Sequence, residues 1–137
     1  MKGSCLCGAV AYKVDRLDTP ILHCHCATYR KAHAVPIAPT AGVCRRRFRW
    51  LEGEEKLSFY ETLPGKRRYF CSVCGSHLVS SRASQDYVVL SVTTLKQSPH
   101  AVAQAYIWTS HGVPWLEYGE SGPSYPSLPP PDGQLRR

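Results

Sequence analysis

Four cysteines occur as two closely spaced pairs, and a glycine follows each pair at once. Cys5 and Cys7 stand in SCLCGAVAY, and Cys71 and Cys74 stand in FCSVCGSHL. A structural zinc takes four thiolate or imidazole ligands in a tetrahedron, so one pair alone is not enough. Glycine allows the tight backbone turn that a bound ion requires. The two pairs therefore predict one four-cysteine zinc site, whose halves only the fold can bring together; the alternative is ordinary buried thiols.

A second pair, Cys24 and Cys26, lies within HCHCATYRKAH, residues 23 to 33. Two thiolates are too few for a complete zinc site, and the sequence offers four candidates for a third ligand: His25, Tyr29, His33 and Cys44. A zinc with an open position would be catalytic, because it could hold a water or deprotonate an incoming thiol. The alternative is that Cys24 and Cys26 are metal-free and either structural or redox-active. The residues alone leave both interpretations open.

The elements that must position these side chains are predicted to be mainly short β-strands. Eight runs have strand-like composition or alternation, and turn-forming Gly and Pro separate several of them. They are Ala9–Val14, Ile21–Cys24, Phe48–Leu51, Leu57–Thr62, Arg67–Phe70, Leu78–Ser81, Tyr87–Thr93 and Val102–Trp108. Only Ala27–Ala34 has a helical pattern. The expected fold is therefore mainly β, with antiparallel sheets.

The chain has 137 residues, which suits one domain, and 43% hydrophobic residues, which is not a disordered composition. We expect a zinc-binding domain over residues 1–118 and a tail over 119–137, because Pro, Gly and Ser dominate from Gly119 onward. No apolar run approaches the roughly 20 residues of a membrane span, and the N-terminus has no apolar leader. These features predict a cytoplasmic protein without membrane association, whose cysteines stay reduced.

The formal net charge is +7, and three clusters carry much of it. They are Arg45–Arg47 with Arg49, Lys66–Arg68, and Arg136–Arg137. Such clusters suit either an anionic partner or a solvated surface. We favour the solvated surface, because no helical stripe or nucleic-acid motif accompanies the arginines. Nucleic acid is therefore not expected as a partner, whereas exposed strand edges would allow a homodimer.

Five segments together resemble the glutathione-dependent formaldehyde-activating enzyme family, which includes the centromere protein V domain. They are GSCLCGAVAY, HCHCATYRKAH, FRWLEGEEKLSFYET, RRYFCSVCGSHL and AYIWTSHGVPWLE. The resemblance implies a β-tent of stacked antiparallel sheets with two zinc sites. It assigns the structural zinc to the four cysteines of the first two pairs, and it assigns the active-site zinc to a Cys-x-Cys-x-x-Cys motif. That motif begins at Cys24 and Cys26, but its third position is Tyr29, where this chain departs from the family.

The family activity implied by the resemblance is that of a carbon–sulfur lyase, S-(hydroxymethyl)glutathione synthase-like. Such an enzyme forms or cleaves the hemithioacetal between a thiol such as glutathione and an aldehyde, formaldehyde. Cys24 and Cys26 would be the catalytic residues, and Arg30, Lys31 or the Arg45–Arg47 cluster would hold the carboxylates of glutathione. The alternative is a non-catalytic zinc-stapled module that binds a small thiol or an anionic partner. Tyr29 motivates this alternative, because a phenol ligates zinc only when deprotonated and its ordinary pKa is about 10.

Overall fold

The structure, a computed structural model, describes residues 1–117, 119 and 122–131. Arg136 and Arg137, which the sequence groups as a basic cluster, lie outside the described residues. The described chain divides into two compact units: one comprises Met1–Thr19 and Ala41–His100, and the other comprises Pro20–Thr40 and the residues described from Ala101 onward. The prediction of a domain over 1–118 and a tail over 119–137 stays a prediction.

Ten strands and one short α-helix make up the regular structure of the described residues, with four single-turn 3₁₀ helices. The strands are β1 (Lys2–Ser4), β2 (Ala11–Val14), β3 (Ile21–Cys24), β4 (Ala38–Cys44), β5 (Phe48–Glu52), β6 (Leu57–Leu63), β7 (Lys66–Cys71), β8 (His77–Arg82), β9 (Tyr87–Ser91) and β10 (Ala103–Ile107), and the helix is α1 (Ala27–His33). The 3₁₀ turns span Arg45–Arg47, Glu54–Lys56, Val92–Thr94 and Thr109–His111.

The first unit contains two β-sheets that pack against each other. One sheet has the order β1-β2-β5, and in the other the end of β4 is followed by β9, β8, β7 and β6. Neighbouring strands β6 to β9 run antiparallel, with Tyr69 opposite Val79 and Ser81 opposite Val88. Side chains that alternate along the strands fill the space between the sheets, and Tyr12, Leu90 and Val14 are completely buried there. This confirms the prediction of a mainly β fold of stacked sheets.

The second unit is built around β3, with β10 on one side and the first residues of β4 on the other. Strand β10 runs parallel to β3, which differs from the antiparallel expectation. The backbone N–H of Tyr106 donates to the Pro123 carbonyl at 2.9 Å, and the N–H of Tyr125 donates to the Tyr106 carbonyl at 2.8 Å. The described part of the Pro-rich segment therefore lies extended along β10.

Strands β1 and β4 were not among the predicted elements. Strand β1 has only three residues, too few to show a period. Strand β4 reads APTAGVC, in which Pro39 and Gly42 suggest a loop. Gly42 is needed there because a Cβ would lie 2.8 Å from the Cγ2 of Thr19. Cys44, one of the candidate third ligands, is the last residue of β4.

Two further expectations concern membrane-spanning helices and the formation of a homodimer. No helix among the described residues is both long enough and apolar enough to cross a bilayer. Strand β6 is the terminal strand of its sheet in the described chain, and its side chains Phe59, Tyr60 and Leu63 are exposed. Association through such an edge would make a homodimer, which stays a prediction.

Candidate metal centre and the second cysteine pair

The first unit brings Cys5, Cys7, Cys71 and Cys74 together, as the sequence predicted. All four Sγ atoms lie within 4.8 Å of one another, and the Cys5–Cys7 and Cys7–Cys71 sulfur distances are 3.6 Å and 3.9 Å. Four thiolates around zinc, with a Zn–S bond of about 2.3 Å, would have sulfurs roughly 3.8 Å apart in a tetrahedron. The two measured sulfur distances match this value, so the four cysteines could hold a metal ion of that size.

Each cysteine pair lies on a tight turn whose glycine has a left-handed backbone. Gly8 has φ 77° and its N–H donates to the Cys5 carbonyl at 3.2 Å, whereas Gly75 has φ 79° and its N–H donates to the Cys71 carbonyl at 2.8 Å. Residues with a side chain rarely adopt such φ values. The glycine after each pair therefore serves the turn that the sequence analysis expected.

Ser76 connects the two turns and was not among the residues that the sequence predicted for the site. Its hydroxyl oxygen accepts the backbone N–H of Leu6 at 2.9 Å and lies 3.3 Å from the Sγ of Cys74. Its carbonyl accepts the N–H of Cys71 at 3.0 Å. A serine two residues after a cysteine carries no recognisable signal in one sequence, because its partner Leu6 is distant in the chain.

The four thiols have unequal proton affinities. Hydrogen bonds, first from the Ser76 side chain and then from the backbone of Cys7 and Ser76, lower the pKa of Cys74 to about 5. The backbone hydrogen bond from Ala9 lowers the pKa of Cys7, but desolvation and the adjacent thiols outweigh it and raise that pKa to about 11. Burial raises the pKa of Cys5, yet hydrogen bonds from the Val10 backbone and the neighbouring thiols leave it lowered. Adjacent thiolates repel each other, and a cation at the centre would relieve that repulsion.

The second unit holds Cys24 and Cys26 where β3 passes into α1. Cys24 is the buried last residue of β3, and Cys26 immediately precedes α1 with its Sγ accepting the Tyr29 N–H at 3.4 Å. Burial of Cys24 excludes water from one thiol, whereas Cys26 is half-buried. The pair is therefore placed at a boundary between the protein interior and solvent.

The candidates for a third ligand at this pair are engaged in other contacts. His25 is 1% exposed and its ring meets Tyr106 edge-on at 5.8 Å, and Tyr29 stacks on His33 at 5.3 Å. In the part of the chain that the structure describes, the only group of three or more His, Cys, Asp or Glu side chains with metal-binding spacing is the four-cysteine cluster of the first unit. Among the described residues, the structure does not gather a third such ligand at Cys24 and Cys26.

His111 also lies at this boundary and was not among the predicted site residues. Its Nδ1 accepts the backbone N–H of Ala27 at 3.4 Å, so His111 contacts the first turn of α1. Arg30 lies on the same helix, and its Nε donates to the carbonyl of His25 at 3.2 Å. The parallel pairing of β10 with β3 brings His111 to this place. His111 and Ala27 are far apart in sequence, so no local pattern predicts their contact.

Comparisons with known proteins identify a matching family and similar solved structures. The model of the family described as glutathione-dependent formaldehyde-activating enzyme matches residues 1–111. A crystal structure of a Rhodobacter sphaeroides protein from a structural genomics programme is similar to this chain, with a TM-score of 0.62 and 27% sequence identity. That similarity covers 72% of this chain and 90% of the Rhodobacter chain. A search of curated proteins finds no match.

Proposed function

Because the chain belongs to the glutathione-dependent formaldehyde-activating enzyme family, we propose that it is a zinc-binding carbon–sulfur lyase. Its substrate would be the hemithioacetal of formaldehyde with glutathione or another thiol. In synthesis, the thiol sulfur bonds to the aldehyde carbon and the thiol proton moves to the carbonyl oxygen; cleavage reverses both changes. The observation that carries this proposal is the family match over residues 1–111, since both groups of cysteines lie within it.

In this proposal Cys5, Cys7, Cys71 and Cys74 hold a structural zinc. Four thiolates close the coordination sphere and leave no position for a substrate. The ion would hold the turn after β1 against the turn after β7, next to the buried core residues Val10 and Leu78. Its contribution is therefore to folding free energy rather than to the reaction.

Cys24 and Cys26 form the proposed reaction centre. A zinc at this pair would supply positive charge that keeps a bound thiol deprotonated near neutral pH. The protein donor set is incomplete for such an ion, because the third family position is Tyr29. Zinc binding there would draw on the Tyr29 phenolate or on the substrate thiol itself. The Tyr29 N–H already donates to the Cys26 Sγ, which positions that sulfur at the start of α1.

Binding of glutathione is assigned to cations beside this pair. Arg30 and Lys31 follow Cys26 on α1, and both belong to the last turn of the helix. Their charges suit the carboxylates of glutathione, and arginine can bind a carboxylate through two parallel hydrogen bonds. Holding both reactants beside one sulfur would accelerate the reaction by orientation.

A second candidate function is a zinc-stapled binding module that holds a small thiol or an anion without catalysis. Tyr29 at the third family position favours it, as does the absence of a third His, Cys, Asp or Glu ligand from the described surroundings of Cys24 and Cys26. This module would contain only the structural zinc. The two candidates therefore differ in metal content and in turnover.

The test measures zinc per chain by native mass spectrometry, and the exchange rate between glutathione, formaldehyde and their adduct by NMR. For the lyase we expect two zincs, one of which is lost in Cys26→Ser, and an exchange rate above the uncatalysed rate that falls to it in the same variant. Cys44→Ser is the matched control and should keep both properties. One zinc in both proteins with only the uncatalysed rate would overturn the lyase and support the module. A second zinc without rate acceleration would also overturn the lyase.

A further inference from the structure

A pocket of about 390 Å³ opens between the two sheets of the first unit. Strand β5 supplies one wall through Phe48 and Trp50, which alternate onto the same face. Two cross-strand pairs supply the other wall. Tyr69 of β7 lies opposite Val79 of β8, and Ser81 of β8 lies opposite Val88 of β9. The volume lies within the range of pockets that bind small molecules, about 300 to 1,000 Å³. None of the described lining residues is a cysteine.

The aromatic wall packs against a neighbouring ring of its own sheet, since Tyr12 on β2 is the cross-strand partner of Trp50. Trp50 meets Phe48 edge-on at 4.8 Å with an interplanar angle of 87°, and it meets Tyr12 edge-on at 6.2 Å. Tyr12 is fully buried, and its hydroxyl lies 2.6 Å from the Thr94 hydroxyl. The wall is therefore fixed before any ligand enters, which reduces the entropy cost of binding a flat ring.

Arg45 presents a positioned guanidinium at the same pocket. Its Nε donates to the Gln85 carbonyl at 2.7 Å and its Nη2 donates to the Arg82 carbonyl at 2.8 Å. These two bonds use two of the five N–H donors of a guanidinium. No carboxylate among the described residues lies within ion-pair distance of Arg45. The side chain thus keeps both its charge and donors for an anion.

The other charged residues that line the pocket favour a ligand with a single negative charge. Arg49 also lines the pocket, but its Nη1 lies 3.5 Å from the Asp15 carboxylate, which offsets part of its charge. Glu54 lines the pocket as its acidic member. The charged lining residues are two arginines and one glutamate, a net charge of +1, so the pocket is complementary to a single carboxylate rather than to a highly charged anion.

From these features we propose that the pocket binds a planar aromatic carboxylate. The ring would pack against Trp50 and Phe48, the carboxylate would accept hydrogen bonds from Arg45, and Ser81 offers a hydroxyl on the opposite wall. The site is distinct in composition from both cysteine groups, and the inference does not depend on the proposed lyase function.

The test titrates the zinc-loaded full chain with naphthoate by isothermal titration calorimetry. Naphthamide, which has the same rings without charge, and cyclohexanecarboxylate, which has the charge without an aromatic ring, serve as ligand controls. We expect each control ligand to bind about tenfold more weakly, a difference of about 1.4 kcal/mol, because each lacks either the charge-assisted hydrogen bonds or the aromatic ring contact. Equal affinity for naphthoate and naphthamide, or no naphthoate binding at millimolar concentration, would overturn the proposal.

The test variants of the protein are Arg45→Gln and Trp50→Leu, and the control variant is Arg46→Gln. Arg46 is an exposed neighbour that does not line the pocket. We expect naphthoate affinity to fall at least about tenfold in the first two variants and to stay unchanged in Arg46→Gln. Because Arg45 also bonds the loop carbonyls, chemical-shift mapping on the unmodified protein gives a readout that needs no substitution. Naphthoate should shift the amide signals of β5 and β8; shifts confined to other segments would contradict the site.

Discussion

The backbone N–H of Leu6 donates a hydrogen bond to the Ser76 hydroxyl at 2.9 Å, and this bond joins the turn of Cys5 and Cys7 to the turn of Cys71 and Cys74. Because the same hydroxyl oxygen lies 3.3 Å from the Cys74 Sγ, one side chain both joins the two cysteine pairs and stabilises the Cys74 thiolate. Loss of an outer contact that positions a metal ligand usually weakens metal binding strongly.

Replacement of this hydroxyl should lower the zinc affinity of the four-cysteine cluster without removing a cysteine. For Ser76→Ala we expect zinc to transfer to a competing chelator with an affinity about 10- to 100-fold weaker than in the unmodified protein. Absorbance of a zinc-sensitive dye measures the transfer. Ser84→Ala is the matched control, because Ser84 is exposed and lies in a turn away from the cluster. Equal chelator affinities for the two variants would contradict the bridging role of Ser76.

Removal of one ligand from the cluster should cost stability as well as metal. In Cys74→Ser we expect one zinc fewer per chain and a Tm lower by about 10 °C or more, because metal binding contributes directly to folding. Native mass spectrometry and calorimetry measure the two effects. Cys44→Ser should keep its zinc content, since Cys44 is not part of the cluster. An unchanged zinc content in Cys74→Ser would refute the assignment of zinc to the four cysteines.

Asp18 should make stability depend on pH. Burial raises the pKa of its carboxyl, but hydrogen bonds from Cys44 and Arg16 and the charge of Arg47 lower it by more, so the net pKa lies below its ordinary value of 3.8. A lowered folded-state pKa stabilises the protein above pH 3.8, and this stabilisation disappears as the pH falls through the folded-state pKa.

For Asp18→Asn we expect a loss of about 1 to 3 kcal/mol near neutral pH, because hydrogen bonds to a charged group are removed. Urea unfolding at a series of pH values should show the two proteins converging in acid. Asp15→Asn is the control: Asp15 is 47% exposed and its ion pair with Arg49 spans 3.5 Å, so a smaller effect is expected. A constant difference between Asp18→Asn and the unmodified protein across all pH values would contradict the ionic origin.

Two glycines separate the effect of backbone strain from that of a steric clash. Gly53 and Gly65 have φ 72° and 79°, but a Cβ on Gly53 would lie 1.9 Å from the Ala9 carbonyl oxygen, whereas nothing lies within 4 Å of a Cβ on Gly65. Gly65→Ala should cost about 1 to 2 kcal/mol through strain alone. Gly53→Ala should cost at least about 2 kcal/mol more, because the backbone must move. Urea unfolding measures both, and equal losses would show that the loop at Ala9 yields freely.

The sequence by itself determined the local features of this protein. Cysteine spacing and the glycines after Cys7 and Cys74 predicted the two cysteine turns, because such turns are built from adjacent residues. Strand-like composition, alternation and turn residues predicted eight of the ten strands described, since these are local properties of the sequence. Five segments, three of which contain cysteine pairs, indicated the family, which the match over residues 1–111 confirms.

Only the tertiary structure decided which distant segments meet. It joined Cys7 to Cys71, brought Ser76 to Leu6, and placed His111 beside the first turn of α1. It also made β4 a strand in spite of Pro39 and Gly42, because pairing and close approach by Thr19 outweigh the local preference. The pocket at Trp50 and Arg45 has the same origin: its walls belong to two sheets, and no pattern within either strand encodes the distance between them.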